Sequence, residues 1–198
     1  IKATCKYKYG KDDCDGLTVA VQGLGKVGSK LTKHLIDAGC EVFATDINED
    51  YIEEGRELGA KIVEPDEIYD VDCDIFSPNA LGSVINEDTI DRLKCDIVAG
   101  AANNVLENHD FAHKLQERDI LYAPDYVINA GGLIQVADEL GIGGYSEERT
   151  MKKCEGIYNK LLQIFEVADE KGITTVEAAD HMVEERIEMM KAVHNIRG

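Results

Sequence analysis

No two of the six cysteines, at 5, 14, 40, 73, 95 and 154, are spaced C-x-x-C, and none stands beside a histidine at ligand spacing. The expectation is six reduced thiols in a cytoplasmic protein rather than three disulfides. No apolar run approaches the ~20 residues of a membrane span, and no signal peptide is visible. Basic residues are scarce: Lys plus Arg number 21 against 39 Asp plus Glu, a net charge of −18. Such a chain repels phosphate backbones at long range, which argues against general nucleic-acid binding. A local anion site built from backbone N–H groups needs no basic side chain and stays open. There is no internal repeat and no low-complexity stretch. The first residue is Ile1, not Met, so a fragment or processed product is expected.

What is present is an ordinary globular composition. The 198 residues are 44% hydrophobic and 30% charged, enough to bury a core. Residues 1–16 are polar, and Ala3, Tyr7 and Gly10 fit the end of a helix, so a connector is expected, with a loose tail as the alternative. From Leu17 strand and helix alternate. Strands are expected at Leu17–Val21, Glu41–Thr45, Lys61–Val63, Cys73–Phe76, Asp96–Ala99 and Ile120–Ala123. Helices are expected at Lys26–Asp37, from the Asn48 cap to Leu58, and at Phe111–Glu117, with Gly39 and Gly59 as stops. The alternation argues for an α/β open sheet. After Asp125 the pattern turns helical: Ala130–Leu140 opened by Asn129, then Glu147–Lys171, then Thr175–Val193. The last carries an apolar face of Val176, Ala179, Met182, Val183, Ile187 and Met190. These helices read as a clasp returning towards another domain.

The most informative segment is Gly23-Leu-Gly-Lys-Val-Gly28. A G-x-G-x-x-G match alone is weak, but here an apolar run precedes Gly23 and an amphipathic helix follows Gly28. Gly23 permits the tight turn, Gly25 the approach of a pyrophosphate, and Gly28 close packing of helix on strand. The pyrophosphate then meets free N–H groups and the helix dipole. Asp46 ends the second strand 23 positions after Gly23. A carboxylate there accepts both ribose hydroxyls and repels a 2′-phosphate, and neither Ile47 nor Asn48 is basic, so NAD is favoured over NADP. The bland alternative for Asp46 is the cap of a turn.

The stretches Val19-Ala-Val-Gln-Gly-Leu-Gly-Lys-Val27, Thr45-Asp-Ile-Asn48 and Asp74-Ile-Phe-Ser-Pro-Asn-Ala-Leu-Gly82 resemble the NAD-binding half of the glutamate/leucine/phenylalanine/valine dehydrogenases. Ala99-Gly-Ala-Ala-Asn-Asn104, Tyr122-Ala-Pro-Asp-Tyr-Val-Ile-Asn-Ala-Gly-Gly132 and Val136-Ala-Asp-Glu-Leu140 sharpen the match, and Glu177-Ala-Ala-Asp180 and Glu184-Glu-Arg-Ile187 complete it. The leucine branch looks closest. The resemblance covers nearly the whole chain. It implies a Rossmann-type, doubly wound, mostly parallel sheet whose C-terminal helices pack back towards a catalytic domain absent from this sequence. The implied division is a connector at 1–16, a dinucleotide-binding domain at 17–145 and a helical clasp at 146–198.

The implied activity is reversible oxidative deamination of an L-amino acid to a 2-oxo acid and ammonia, with hydride passing to NAD. The implied partners are small molecules and, for the full protein, further copies of itself. The glycine loop Gly23, Leu24, Gly25, Lys26, Val27 and Gly28, with Asp46 and Ile47, would bind the cofactor. Ala80 and Leu81 would lie along it, and Ala102 and Asn103 near its nicotinamide end. Asn129 would sit at the cleft, and Leu133 and Val136 would face the substrate side chain. The bland alternatives are turn or cap duty for the asparagines and core packing for Leu133 and Val136. Departures from the family pattern are Gly28 for Ala, Asn79 for Cys, Ala101 for Ser, and Leu133 for Val. The largest departure is an absence. The lysines that carry the chemistry, one of them in a glycine-rich loop, have no counterpart here, so no catalytic residue is assigned and the chain alone is expected to be inactive. His109 and His113 share a helix face without the Glu of H-E-x-x-H, and no metal is assigned. The competing reading is a stand-alone NAD-binding sensor without chemistry.

Overall fold

A computed structural model describes residues 1–80 and 82–196. Six parallel strands form one sheet in the order β3-β2-β1-β4-β5-β6. They are β1 Thr18–Gln22, β2 Glu41–Thr45, β3 Lys61–Ile62, β4 Ile75–Pro78, β5 Ile97–Val98 and β6 Leu121–Tyr122. The helices are α1 Lys2–Tyr9, α2 Gly28–Asp37, α3 Glu49–Leu58, α4 Asp110–Glu117, α5 Asp125–Ile128, α6 Gly131–Glu139, α7 Glu147–Lys171 and α8 Thr175–Ile196. This is the doubly wound α/β arrangement expected from the alternation. The chain winds outward from β1 to β3, then returns to place β4 on the other side of β1. The C-terminal ends of β1 and β4 therefore border the point where the winding reverses, where open α/β sheets bind ligands.

Strand pleating sorts the core into two clusters, one per face. Val19, Val21, Val42, Ala44, Ile75 and Ile97 pack on one side, with Leu35 of α2 and Leu161, Ile164, Phe165 and Ala168 of α7. Ala20, Phe76, Val98 and Tyr122 face the other side, with Ile68, Ile85, Phe111, Leu115 and Val176. Both faces are covered, which is why the strands read as continuous apolar runs rather than alternating ones. The four α7 residues lie at i, i+3, i+4 and i+7. Fully burying each of the three large ones is worth roughly 1.5–3 kcal/mol.

Local chemistry sets the boundaries. The Asn48 side chain accepts from the Asp50 amide and starts α3, and Gly59 ends it at φ 103°. Ser146 caps α7, and Gly172 closes it in the left-handed region. Residues 1–16 are not a loose tail: α1 packs on α7, with the Tyr7 and Phe165 ring centroids 5.1 Å apart. Its end is fastened by Lys8 to Asp119 at 2.8 Å and by the Tyr9 hydroxyl to Asp96 at 2.9 Å. All six cysteines are free thiols.

Two expectations needed correction. The fourth strand begins at Ile75, two residues later than expected: the Cys73 and Asp74 amides donate to the Lys94 and Thr18 carbonyls just ahead of the regular ladder. Asn129 does not open α6. It ends α5, and α6 begins at Gly131 without a side-chain cap. Along the apolar face of α8, Val176 and Ala179 are buried in this chain, while Val183, Ile187 and Met190 are exposed. No helix among the described residues is long and apolar enough to cross a membrane.

Candidate functional site

The glycine loop bridges β1 and α2. The Gly23 amide donates to the Thr45 carbonyl at 2.8 Å, and Gly23 has φ 98°. A Cβ built there would lie 2.7 Å from the Ala80 Cβ and 2.9 Å from its amide nitrogen, so the loops after β1 and β4 touch at a point that only glycine permits. Gly28 sits directly on the Gly23 carbonyl, which a Cβ would meet at 1.9 Å. Gly25 differs: a Cβ there meets nothing within 4 Å. Helical bonding begins with Ser29 N–H to the Gly25 carbonyl. The amides of Lys26, Val27 and Gly28 have no backbone partner among the described residues. Open space over Gly25 beside free amides is the form of an anion cradle.

Leu24 is fully buried in the core, so only its backbone reaches the site. Its amide donates to Asp46 Oδ2 at 2.6 Å, while Asp46 Oδ1 accepts from the Asn48 amide at 2.9 Å. Asp46 is thus a turn cap and a link to the glycine loop. Each carboxylate oxygen keeps a lone pair for a ligand hydroxyl. Ile47 is 89% exposed beside it. Asp46, Ile47 and Ala80 line one cavity of about 270 Å³ with Gln22, Gly23, Thr45, Pro65, Tyr69 and Val84. Leu81 lies outside the described residues.

The loop after β5 completes the far side. A Cβ on Gly100 would come within 2.0 Å of the Pro78 carbonyl, so this loop is seated on the one after β4. Asn79 Oδ1 fastens the two by accepting from the Ala101 amide at 3.1 Å. Ala102 is buried and Asn103 exposed. Asn129 Nδ2 donates to Asn103 Oδ1 at 2.6 Å, with the Ala102 carbonyl at 3.4 Å. The structure therefore brings Ala102, Asn103 and Asn129 together. Buried Asp125 accepts from the Val105 amide at 2.7 Å and holds the start of α5 against this loop.

Leu133 and Val136 stand one turn apart on α6. They are 73% and 51% exposed, and neither packs in the core of this chain. The position of α6 is set by Asp138, whose side chain is only 1% exposed. It accepts from Arg149 Nε at 2.5 Å and Arg149 NH2 at 2.7 Å, from Lys153 at 3.1 Å and from the Ser146 amide at 2.9 Å. The Arg149 guanidinium holds this carboxyl far below the usual carboxylate range. A depressed folded-state pKa contributes stability above the unfolded value of about 4, and that contribution is lost as the pH falls through the folded pKa. Asp138→Asn removes the charge that the half-exposed Arg149 and Lys153 pair with, and its thermal midpoint at neutral pH should fall by a few degrees. The wild-type advantage over this variant should shrink as the pH drops below about 4. A midpoint equal to wild type at neutral pH refutes the clamp.

Sequence reasoning did not single out Gln22, Thr45, Tyr69, Pro65 or Val84 as cavity residues. A signal was available for the first two. Gln22 and Thr45 immediately precede Gly23 and Asp46, at the strand ends where such sheets bind ligands.

The sequence profile of the Glutamate/Leucine/Phenylalanine/Valine dehydrogenase family matches residues 44–194. Leucine dehydrogenase from Thermoactinomyces intermedius is 54% identical over 192 residues, covering 96% of this chain and 52% of that protein. L-tryptophan dehydrogenase from Nostoc punctiforme is 48% identical in its crystal structure, with a TM-score of 0.91 over 94% of this chain and 57% of that one. A hetero-hexameric glutamate dehydrogenase from Thermus thermophilus shares the fold at 21% identity, with a TM-score of 0.72 over 98% of this chain and 50% of that one. The chain spans about half the length of the curated relatives it matches. With the reversing sheet, the glycine loop and the strand-end carboxylate already in place, the chain belongs to the glutamate/leucine/phenylalanine/valine dehydrogenase family.

Proposed function

We propose that this chain is the NAD-binding half of an L-amino-acid dehydrogenase of the leucine, branched-chain type. The observation that carries this reading is the joining of Asp46 to the Leu24 amide, which puts a carboxylate beside the open cradle over Gly25. NAD, when bound, supplies the hydride acceptor. The amides from Gly25 to Gly28 would hold its pyrophosphate, and Asp46 the adenosine ribose. Ile47, Ala80 and Leu81 would flank the adenosine. Ala102 and Asn103 would lie at the nicotinamide end. The Asn129 bond to Asn103 consumes one Asn103 acceptor and leaves its Nδ2 free to donate, which orients a ligand carbonyl without adding charge. Residues 1–16 would act as connector, 17–145 as cofactor domain and 146–198 as clasp. The groups that move the substrate proton would come from the part of the protein outside this chain. The full protein is proposed to be cytoplasmic and homo-oligomeric.

Asn129, Leu133 and Val136 would meet the substrate. An aliphatic wall disfavours a carboxylate side chain, because burying an unpaired charge is expensive. No Lys or Arg lies between Asp119 and Arg149 to pair one. The full-length protein should therefore reduce NAD with leucine, valine or isoleucine in preference to glutamate. Leu133→Val deepens the wall by one methylene and should raise the leucine-to-valine ratio of kcat/KM by about tenfold. A preference for glutamate defeats the assignment. A flat ratio for the variant removes Leu133 from the pocket.

A further inference from the structure

Four buried side-chain atoms among the described residues lack a hydrogen-bond partner, and two of them lie at one place. They are Gln22 Oε1 and Thr45 Oγ1. Gln22 and Thr45 are register partners at the ends of β1 and β2, so their side chains leave the sheet side by side on the same face. Both residues line the 270 Å³ cavity that holds Asp46 at its rim. Thr45 is 2% exposed. The Gln22 amide is steered from its other end: Nε2 donates to the Tyr69 hydroxyl at 2.7 Å, and the Tyr69 ring packs on Phe76 with centroids 5.6 Å apart. The other two orphans, the hydroxyls of Thr32 and Thr150, belong to α2 and α7 and line no part of this cavity.

Buried polar atoms without partners cost free energy, and natural folds leave few of them. Two adjacent orphans at the floor of a cavity are explained when a ligand supplies the partners. The shape limits that ligand. Ile47, Pro65, Ala80 and Val84 give the cavity apolar walls, and Gln22, Thr45, Asp46, Tyr69, Ser83 and Asn86 bring its polar groups. A flat ring with a polar edge fits such walls. An amide acceptor beside a hydroxyl complements an edge that carries an amino donor next to a ring-nitrogen acceptor. Asp46, an acceptor-only carboxylate at the rim, is matched to sugar hydroxyls.

We propose that Gln22 and Thr45 bind the amino-bearing edge of a purine base, with Gln22 the specificity residue for the adenine end of the cofactor. This rests on the NAD-binding reading above and adds to it a discrimination between adenine and hypoxanthine. In hypoxanthine a carbonyl replaces the amine and a ring N–H replaces the ring acceptor, so the bond to Gln22 Oε1 is lost, while the Thr45 hydroxyl, which both donates and accepts, turns to the ring N–H.

The test is calorimetric titration of this chain with NAD and with nicotinamide hypoxanthine dinucleotide. The wild type should bind NAD about five- to tenfold more tightly, the ratio expected for one net hydrogen bond. Thr45→Val, which keeps the shape and removes the hydroxyl, should weaken both dinucleotides alike while raising the thermal midpoint of the nucleotide-free protein. Gln22→Met, which removes the acceptor that only the amino edge can satisfy, should shrink that ratio towards one. Equal binding of the two dinucleotides by the wild type overturns the proposal and leaves NAD binding intact. An unchanged ratio in Gln22→Met does the same, and would mean that the Gln22 carbonyl is satisfied by trapped water. Failure of the wild type to bind either dinucleotide is a different result: it removes the nucleotide reading itself.

Discussion

Gly23→Ala should all but abolish NAD binding, and it should do so by disturbing the fold rather than by blocking the ligand. Two costs coincide at this residue. Its φ of 98° is one that L side chains rarely adopt, and a Cβ would stand 2.7 Å from the Ala80 Cβ and 2.9 Å from its backbone nitrogen. The first costs about 1–2 kcal/mol. The second requires a backbone shift where the loops after β1 and β4 meet, a further cost of about 1–3 kcal/mol. The Gly23 amide also donates to the Thr45 carbonyl, so the shift propagates to β2 and Asp46. The variant should lose several degrees of thermal midpoint and at least about 100-fold in NAD affinity. Gly25→Ala is the necessary contrast. Its Cβ meets nothing within 4 Å in the free protein, so the midpoint should hold while the methyl occupies the space over the amides and affinity falls. Were Gly23→Ala to bind and melt like the wild type, the contact with Ala80 would have no energetic weight.

That contrast also shows why the sequence reveals the site only in part. The three glycines are equally visible in a G-x-G-x-x-G match, and the strand before and helix after them give their order. Their separate burdens are tertiary. Gly23 is fixed by Ala80 and Gly28 by the Gly23 carbonyl, while Gly25 faces open space. The boundaries of α3 and α7 are legible because their caps are local: Asn48 and Ser146 at the starts, Gly59 and Gly172 at the ends. The start of α6 is not, because Asn129 spends its side chain on Asn103, 26 residues earlier, instead of on the helix it precedes. The apolar stripe of α8 carries a correct period, but period alone does not say how far along a helix a partner extends. The clamp role of Asp138 is not legible in the sequence, since its cations at 149 and 153 belong to the next helix. Gln22 and Thr45 are ordinary strand residues until the parallel register sets them side by side.

Cofactor choice should turn on Asp46. A 2′-phosphate placed against this carboxylate is a like-charge pair in a half-buried site, which costs several kcal/mol, so NAD should bind on the order of 100-fold more tightly than NADP. Asp46→Asn removes the charge with little change of shape. It should lower NAD affinity about tenfold, through loss of charge-assisted bonds to the ribose hydroxyls, and cut the NAD-to-NADP ratio by at least about tenfold. The substitution has a structural cost as well. Asp46 accepts from two amides, Leu24 through Oδ2 and Asn48 through Oδ1, and an asparagine side chain has only one acceptor oxygen. One amide is left facing an NH2 group, so the midpoint should fall by a few degrees. A loss of affinity alone would therefore not separate recognition from a loosened glycine loop. The ratio does, because loosening the loop weakens both dinucleotides alike while removing the charge favours NADP relative to NAD. Asn48→Ala supplies the control. It deletes the cap of α3, worth about 1 kcal/mol, and leaves the carboxylate in place. Its midpoint should fall with the NAD-to-NADP ratio unchanged. If Asp46→Asn also leaves that ratio where it was, Asp46 is a turn cap and nothing more, and the preference for NAD must come from elsewhere in the cavity.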